Sequence, residues 1–169
     1  MTGTTGSQGP DAVAFARHDH AGCVAGALAA AEARCREDGA RLTPVRRRVL
    51  EMLLTEHRAL GAYEILDRLA REGMGSQPPV AYRALDFLVR HALAHRIERR
   101  NAFVACAHPG RDHVPAFMVC RLCAAVAEAW TGPARDALEA AAARVGFRVE
   151  RTVIEAEGLC PSCQGAAPA

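Results

Sequence analysis

Up to about residue 18 the chain is rich in Gly, Thr, Ser and Gln and offers no repeating apolar positions, so it reads as a tail outside any core. Apolar periodicity begins at Ala21. The run AGCVAGALAAAEARCRED favours helix through its alanines and stops before Gly39, which takes a left-handed conformation without steric cost. Thr43 and Pro44 then supply a hydroxyl N-cap and a first-turn proline for a second helix. Along it Val45, Val49 and Leu53 recur every four residues to about Glu56. A third helix is predicted between Gly61 and Gly73, with Tyr63, Leu66 and Leu69 on its apolar side. After the breaker segment GMGSQPP a fourth runs from Pro79 to His91. At about 100° per residue, Tyr82, Arg83, Asp86 and Arg90 share one quadrant of that helix. Ala81, Leu85, Leu88 and Ala92 lie opposite, and Phe87 belongs to neither stripe. LAHRIE and AFVAC, joined by RRN, read as a β-hairpin closed near Asn101.

Beyond the hairpin the period changes from helical to alternating. AFMVC, AAVAEA and FRVERTVIEA are strand-like. A helix between the last two begins after Thr131 and Gly132, places Ala134, Leu138, Ala141 and Val145 on one face, and stops at Gly146. A module of this size with so few large apolar side chains needs a metal staple and a partner subunit to hold its fold. The expected architecture is α+β: residues 1–20 a disordered tail, 21–98 in the order of a winged helix-turn-helix, to which a small helical domain with solvated arginines is the alternative, 99–106 the wing exit and hinge, and 107–169 a small dimerisation and metal-binding domain.

Charge sharpens this picture. The formal net charge is only +2, but residues 1–40, 41–100 and 101–169 carry −2, +5 and −1, and every cation is arginine. The basic segment is the one with the helical hairpin pattern, and guanidinium groups match phosphate oxygens in both charge and shape. No apolar run approaches the roughly 18 to 20 residues of a membrane span. The N-terminus lacks a basic segment followed by an apolar one, so a soluble, cytoplasmic protein is expected.

The seven cysteines belong to a reducing compartment, where metal or redox chemistry outweighs structural disulfides. Cys120 and Cys123 form one Cys-x-x-Cys knuckle, and Cys160 and Cys163 another. Two intervening residues let both sulfurs of a pair turn to one side, and four thiolates make a closed tetrahedral zinc site. The competing reading, two separate thioredoxin-type redox pairs, would place each motif at the start of a helix. Here each sits at the end of a strand with no helix expected to start inside it. His95, Cys106, His108, His113 and Glu128 are further ligand candidates. His18, His20, His57 and His91 read as surface or capping residues, and Cys23 and Cys35 as small core residues. No His-Glu-x-x-His or His-x-Glu string supports a zinc hydrolase or deaminase, so no enzyme and no small-molecule substrate are expected.

Taken in order and spacing, LTPVRRRVLEML, GAYEILDRL, PPVAYRALDFL, LAHRIE, CRLC and GLCPSC resemble the ferric uptake regulator superfamily, most of all its zinc uptake regulators, over about residues 22–163. The resemblance implies a zinc-responsive repressor that binds palindromic operator DNA as a homodimer, with two zinc ions per subunit. Cys120, Cys123, Cys160 and Cys163 match the structural zinc site. His95, Cys106, His113 and Glu128 match the regulatory site, whose mixed sulfur, nitrogen and oxygen donors favour zinc over iron(II). Tyr82 and Arg83 stand where family members contact bases. The sparse stretch HPGRDHVPAFMVC departs from the dense histidine run of the iron and peroxide sensors, which favours zinc sensing over them. Val80 and Ala81 replace the usual Thr-Val of the recognition helix. A redox or peroxide sensor of the same fold, or a sensor of another divalent metal such as iron or nickel, is the alternative.

Overall fold

A computed structural model describes residues 21–56, 58–109, 115–130 and 132–165. Helix α1 (Ala21–Glu37) ends where Gly39 turns left-handed at φ 65°. α2 (Pro44–Thr55) starts from Thr43, whose hydroxyl accepts the Arg46 N–H at 3.5 Å. Then follow the short strand β1 (Leu60–Gly61), α3 (Ala62–Arg71), α4 (Pro78–Arg90), β2 (Ala94–Ile97), a 3-10 turn (Glu98–Arg100) and β3 (Ala102–Ala105). The wing is a three-stranded antiparallel sheet of order β1-β3-β2 rather than a simple hairpin, and residues 102–105 form its central strand. Asn101 closes its tip at φ 47°, a conformation that asparagine tolerates better than most residues.

Two positions correct the sequence-based expectation for this half. Tyr63 is 68% exposed, and Ala62, Ile65, Leu66 and Leu69 bury the inner face of α3 instead. Phe87, which fitted neither stripe of α4, is buried with its ring under the Arg46 guanidinium (3.7 Å) and beside His91 (4.3 Å). Arg46 thus caps the core by cation–π contact, a partner that helical periodicity does not encode. The main apolar cluster joins Leu28, Ala31 and Cys35 of α1 to Val49, Leu53, Ile65, Leu69, Leu85, Leu88 and Phe103. Cys23, by contrast, is exposed and takes no part in the core.

The C-terminal sheet contains β4 (Pro115–Cys120), β5 (Val126–Trp130) and β6 (Ile154–Gly158) in the order β5-β4-β6. β4 runs antiparallel to β5 and parallel to β6, and α5 (Gly132–Arg144) crosses between them. The expected long strand FRVERTVIEA is regular only from Ile154. Residues 147–153 carry no strand assignment: β4 starts at Pro115, and its parallel register with β6 begins at Ala116↔Ile154, so the residues before Ile154 have no partner in the described sheet. α5 buries Ala142 alone, while Leu138, Val145 and Phe147 remain 46%, 79% and 66% exposed. A second apolar cluster, Ala59, Ile97, Ala102, Val104, Phe117 and Val119, spans the wing and β4 and so joins the two halves. No described helix is long and apolar enough to cross a membrane.

Candidate metal centres and DNA-facing helix

The hairpin between β4 and β5 turns at the first knuckle. Cys120 N–H donates to Ala125 C=O (2.8 Å), Ala124 N–H returns to Cys120 C=O (3.0 Å), and Ala124 is left-handed at φ 59°. β6 runs alongside and delivers the second knuckle to the same end of the sheet, where Arg121 N–H donates to Gly158 C=O at 2.9 Å. The sulfurs of Cys120, Cys123, Cys160 and Cys163 all lie within 4.8 Å of one another, and those of Cys123 and Cys160 are 3.7 Å apart. Four sulfurs about 2.3 Å from one tetrahedral ion stand roughly 3.8 Å apart, so this donor set fits a closed zinc site. Backbone N–H groups of Cys123, then of Cys160, hold the Cys120 thiol down to about 6, so one ligand is close to its metal-binding form beforehand.

That single cluster replaces the reading of two separate redox pairs. Contrary to the sequence-based expectation, a one-turn helix, α6 (Pro161–Gln164), starts inside the second knuckle with Cys160 as its N-cap. What separates the cases is convergence of all four sulfurs.

A second cluster forms where the halves meet. His95 is on β2, Cys106 follows β3, and Glu128 is on β5, and one donor atom from each lies within 4.8 Å of the others. His95 Nε2 is 3.9 Å from Glu128 Oε1, with the two side chains 17% and 6% exposed. Cys106 N–H donates to Leu93 C=O (3.0 Å), which carries the thiol back to the start of β2. The N–H of Ala107 donates to Glu128 Oε2 at 2.9 Å, orienting the carboxylate so that its other oxygen faces the imidazole. Phe117 closes the floor, its ring centroid 5.4 Å from that of His95. Burial pushes the Cys106 thiol up to about 12, and the Glu128 carboxylate adds to the rise. A buried thiol with a partly buried imidazole and carboxylate offers three donors of the kinds that suit zinc. His113, the expected fourth, lies outside the described residues, as do His18, His20 and His57. Among the described residues the cluster does not include His108.

Tyr82 and Arg83 project from the first half of α4, with Asp86 and Arg90, away from the buried Ala81, Ala84, Leu85 and Leu88. Arg47 and Arg48 of α2 are engaged by Glu32, and by Glu51 and Glu72. Arg58 and Arg68 share Glu56 and Glu64. Much of the basic excess is therefore spent within the domain, whereas Arg83 and Arg90 form no ion pair among the described residues. Gln77 is the N-cap of α4 and makes no side-chain hydrogen bond there. Sequence reasoning missed the Ala107 N–H and Phe117. A backbone donor has no signature in a sequence, and Phe117 is visible there only as one apolar position of a strand.

A winged helix joined to a small sheet, with one four-cysteine cluster and one mixed cluster at the junction, defines a class of two-part proteins built around metal-ligating side chains. No protein-family model matches the chain. It is 38% identical over 137 residues to the zinc uptake regulation proteins of Escherichia coli (strain K12) and Shigella flexneri, the match covering 80% of this chain and 80% of each relative. It superposes on a solved zinc uptake regulator complexed with zinc and DNA with a TM-score of 0.80 at 36% identity, covering 85% of this chain and 96% of that one. The corresponding values for holo XcZur are 0.73, 37%, 82% and 96%. The ferric uptake regulator of Helicobacter pylori shares the fold at 14% identity and a TM-score of 0.53, over 83% of this chain and 93% of that one. The chain belongs to the zinc uptake regulator family.

Proposed function

We propose that zinc switches this chain into its DNA-binding form at the joint between the wing and the C-terminal sheet, making it a repressor of zinc-uptake genes. It is a zinc-responsive transcriptional regulator that binds operator DNA as a homodimer, in keeping with relatives named for zinc uptake regulation and a similar structure that holds zinc and DNA. We assign two zinc ions to each subunit. Cys120, Cys123, Cys160 and Cys163 hold the structural one, and His95, Cys106, His113 and Glu128 the regulatory one. When bound, the ion supplies a double positive charge and short bonds to the segments that carry its ligands.

The observation that carries this reading is the convergence of His95, Cys106 and Glu128 from both sides of the joint. In the proposed division into 21–98, 99–106 and 107–169, residues 102–105 belong to the wing sheet and pack into both apolar clusters, so the wing and the segment leaving it move as one piece against 107–169. The exposed face of α5 and the neighbouring Phe147 are where a second subunit pairs. Two-fold pairing through the C-terminal units makes the spacing of the two α4 helices depend on how each wing sits on its own sheet. Those helices must stand about 34 Å apart to enter successive major grooves of a palindrome. Tyr82 and Arg83 then face base edges. Gathering the ligands selects this arrangement from the others the joint samples. The reading assigns no catalytic role and places the chain in the cytoplasm with its DNA.

Mobility shifts with operator DNA over buffered free zinc, with and without peroxide, test this. The wild-type dimer gains operator affinity with zinc, and Cys106→Ser remains a folded dimer that does not respond. A normal zinc response by Cys106→Ser would move the sensing site elsewhere, and zinc-independent binding released by peroxide would replace the reading with redox sensing.

A further inference from the structure

The C-terminal sheet meets the wing along one transverse row. Phe117 on the central strand β4 stands in register with Glu128 of β5 and with Glu155 of β6. Residues directly opposite on neighbouring strands point to the same face, so Glu128, Phe117 and Glu155 form a line across it. Glu128 belongs to the mixed ligand cluster, Phe117 lies against the His95 ring of that cluster, and Glu155 lies outside it. Its Oε1 accepts the backbone N–H of Glu98 at 2.6 Å, and its Oε2 accepts that of Arg99 at 3.2 Å. Both donors are in the 3-10 turn at the wing tip. Arg151 pairs with Glu98 at 2.7 Å, Arg100 with Glu157 at 3.7 Å, and the Arg100 guanidinium donates to Cys120 C=O at 3.4 Å. His95 lies near the start of β2 and this turn follows its end, roughly 10 Å away at about 3.3 Å per residue.

We propose that Glu155 is a positioning residue of the switch: a clasp, needing no metal, that holds the wing tip on the C-terminal sheet and so sets how much free zinc closes the joint. The inference rests on the zinc reading above. A carboxylate that accepts two neighbouring N–H groups fixes both the position and the tilt of the turn. His95 reaches Glu128 only when β2 lies over β4, the same arrangement that brings the turn onto Glu155. The two contacts therefore favour one state and are linked. Apparent zinc affinity equals the intrinsic affinity reduced by the fraction of molecules already closed. Removing the clasp lowers that fraction, so the zinc requirement rises. Once zinc is saturating the joint is closed again and operator affinity returns. A DNA contact or a damaged fold would not show that pattern.

The full-length dimer with its four-cysteine site filled is compared as wild type, Glu155→Ala, Glu155→Gln and Glu98→Pro. The last removes the stronger wing-side N–H at the first position of the turn, where proline's fixed φ is accommodated. Chelator-buffered titrations give the half-saturating free zinc, mobility shifts give operator affinity at saturating zinc, and hydrogen exchange reports the amides of residues 98 and 99 without regulatory zinc. Glu155→Ala is expected to raise half-saturating zinc about tenfold, equivalent to about 1.4 kcal/mol, with operator affinity at saturation changed less than about twofold. Glu155→Gln falls between, and the two amides exchange faster in both variants. Glu98→Pro adds less to Glu155→Ala than it does to wild type. Unchanged half-saturating zinc in Glu155→Ala, or equal loss of operator affinity at every zinc level, overturns the proposal. If Glu155→Ala does not form the dimer, Glu155→Gln and Glu98→Pro decide the same comparison. If wild type itself shows no zinc dependence, the zinc reading fails, and exchange at residues 98 and 99 still decides whether the clasp exists.

Discussion

Zinc binding at the mixed cluster should strengthen about tenfold for each unit of rising pH and keep strengthening past the point where an ordinary thiol levels off. Cys106 is 5% exposed, and burial, reinforced by the Glu128 carboxylate, pushes its thiol up to about 12. The His108 backbone N–H and the Arg34 charge pull the other way without cancelling that rise. Only the thiolate binds the ion, so each binding event expels this proton. Forming the thiolate at pH 7 costs roughly 7 kcal/mol here against roughly 2 kcal/mol for an ordinary thiol near 8.5, at about 1.36 kcal/mol per unit. Chelator competition on the dimer at pH 7, 8 and 9, with the four-cysteine site filled, measures the dependence. The expected slope is one decade per unit throughout, and Cys106→Ser should abolish it. A plateau between pH 8 and 9 would refute the reasoning, because it would mean that the thiol is not desolvated. The zinc-free fold should respond oppositely. A thiol raised above its unfolded value leaves stability intact below about 8.5 and subtracts from it as pH climbs toward 12, so zinc-free Tm should fall over that window.

Other outcomes follow from the same geometry. Cys120→Ser should lose the structural metal and the folded dimer, read by metal analysis and sedimentation, while Cys106→Ser keeps both. Arg83→Ala should weaken binding to the cognate operator by about 1–3 kcal/mol and to random DNA by much less. Equal losses on both would reduce Arg83 to a phosphate contact. Phe117→Ala, at a side chain 2% exposed beneath the wing, should cost about 3–5 kcal/mol in denaturant unfolding and also weaken zinc binding, since the same ring supports His95. Stability loss with unaltered zinc affinity would detach Phe117 from the site.

The arrangement explains how a small chain couples two tasks. The wing's β-strands are shared property: β3 pairs with β1 and β2 on the DNA-binding side, while Ile97, Ala102 and Val104 pack on Phe117 and Val119 of the other sheet. Moving the wing therefore breaks one apolar cluster, one ligand cluster and the Glu155 contacts together.

The sequence by itself determined the elements that depend on near neighbours. Thr43 with Pro44, the glycine stop at Gly39 and the four-residue apolar repeat specify the helices, because capping and periodicity are local. The two Cys-x-x-Cys spacings specify chelating pairs for the same reason. The grouping of His95, Cys106 and Glu128 was legible only through resemblance, since their spacing along the chain carries no geometry. Only the tertiary structure decided that Phe87 lies beneath Arg46, that Tyr63 faces outward, that the last strand begins at Ile154, and that Glu128 and Glu155 flank Phe117. Each of those depends on which segments meet across the chain. Strand register and interdomain packing are set by long-range contacts, and a residue's immediate sequence neighbours do not encode them.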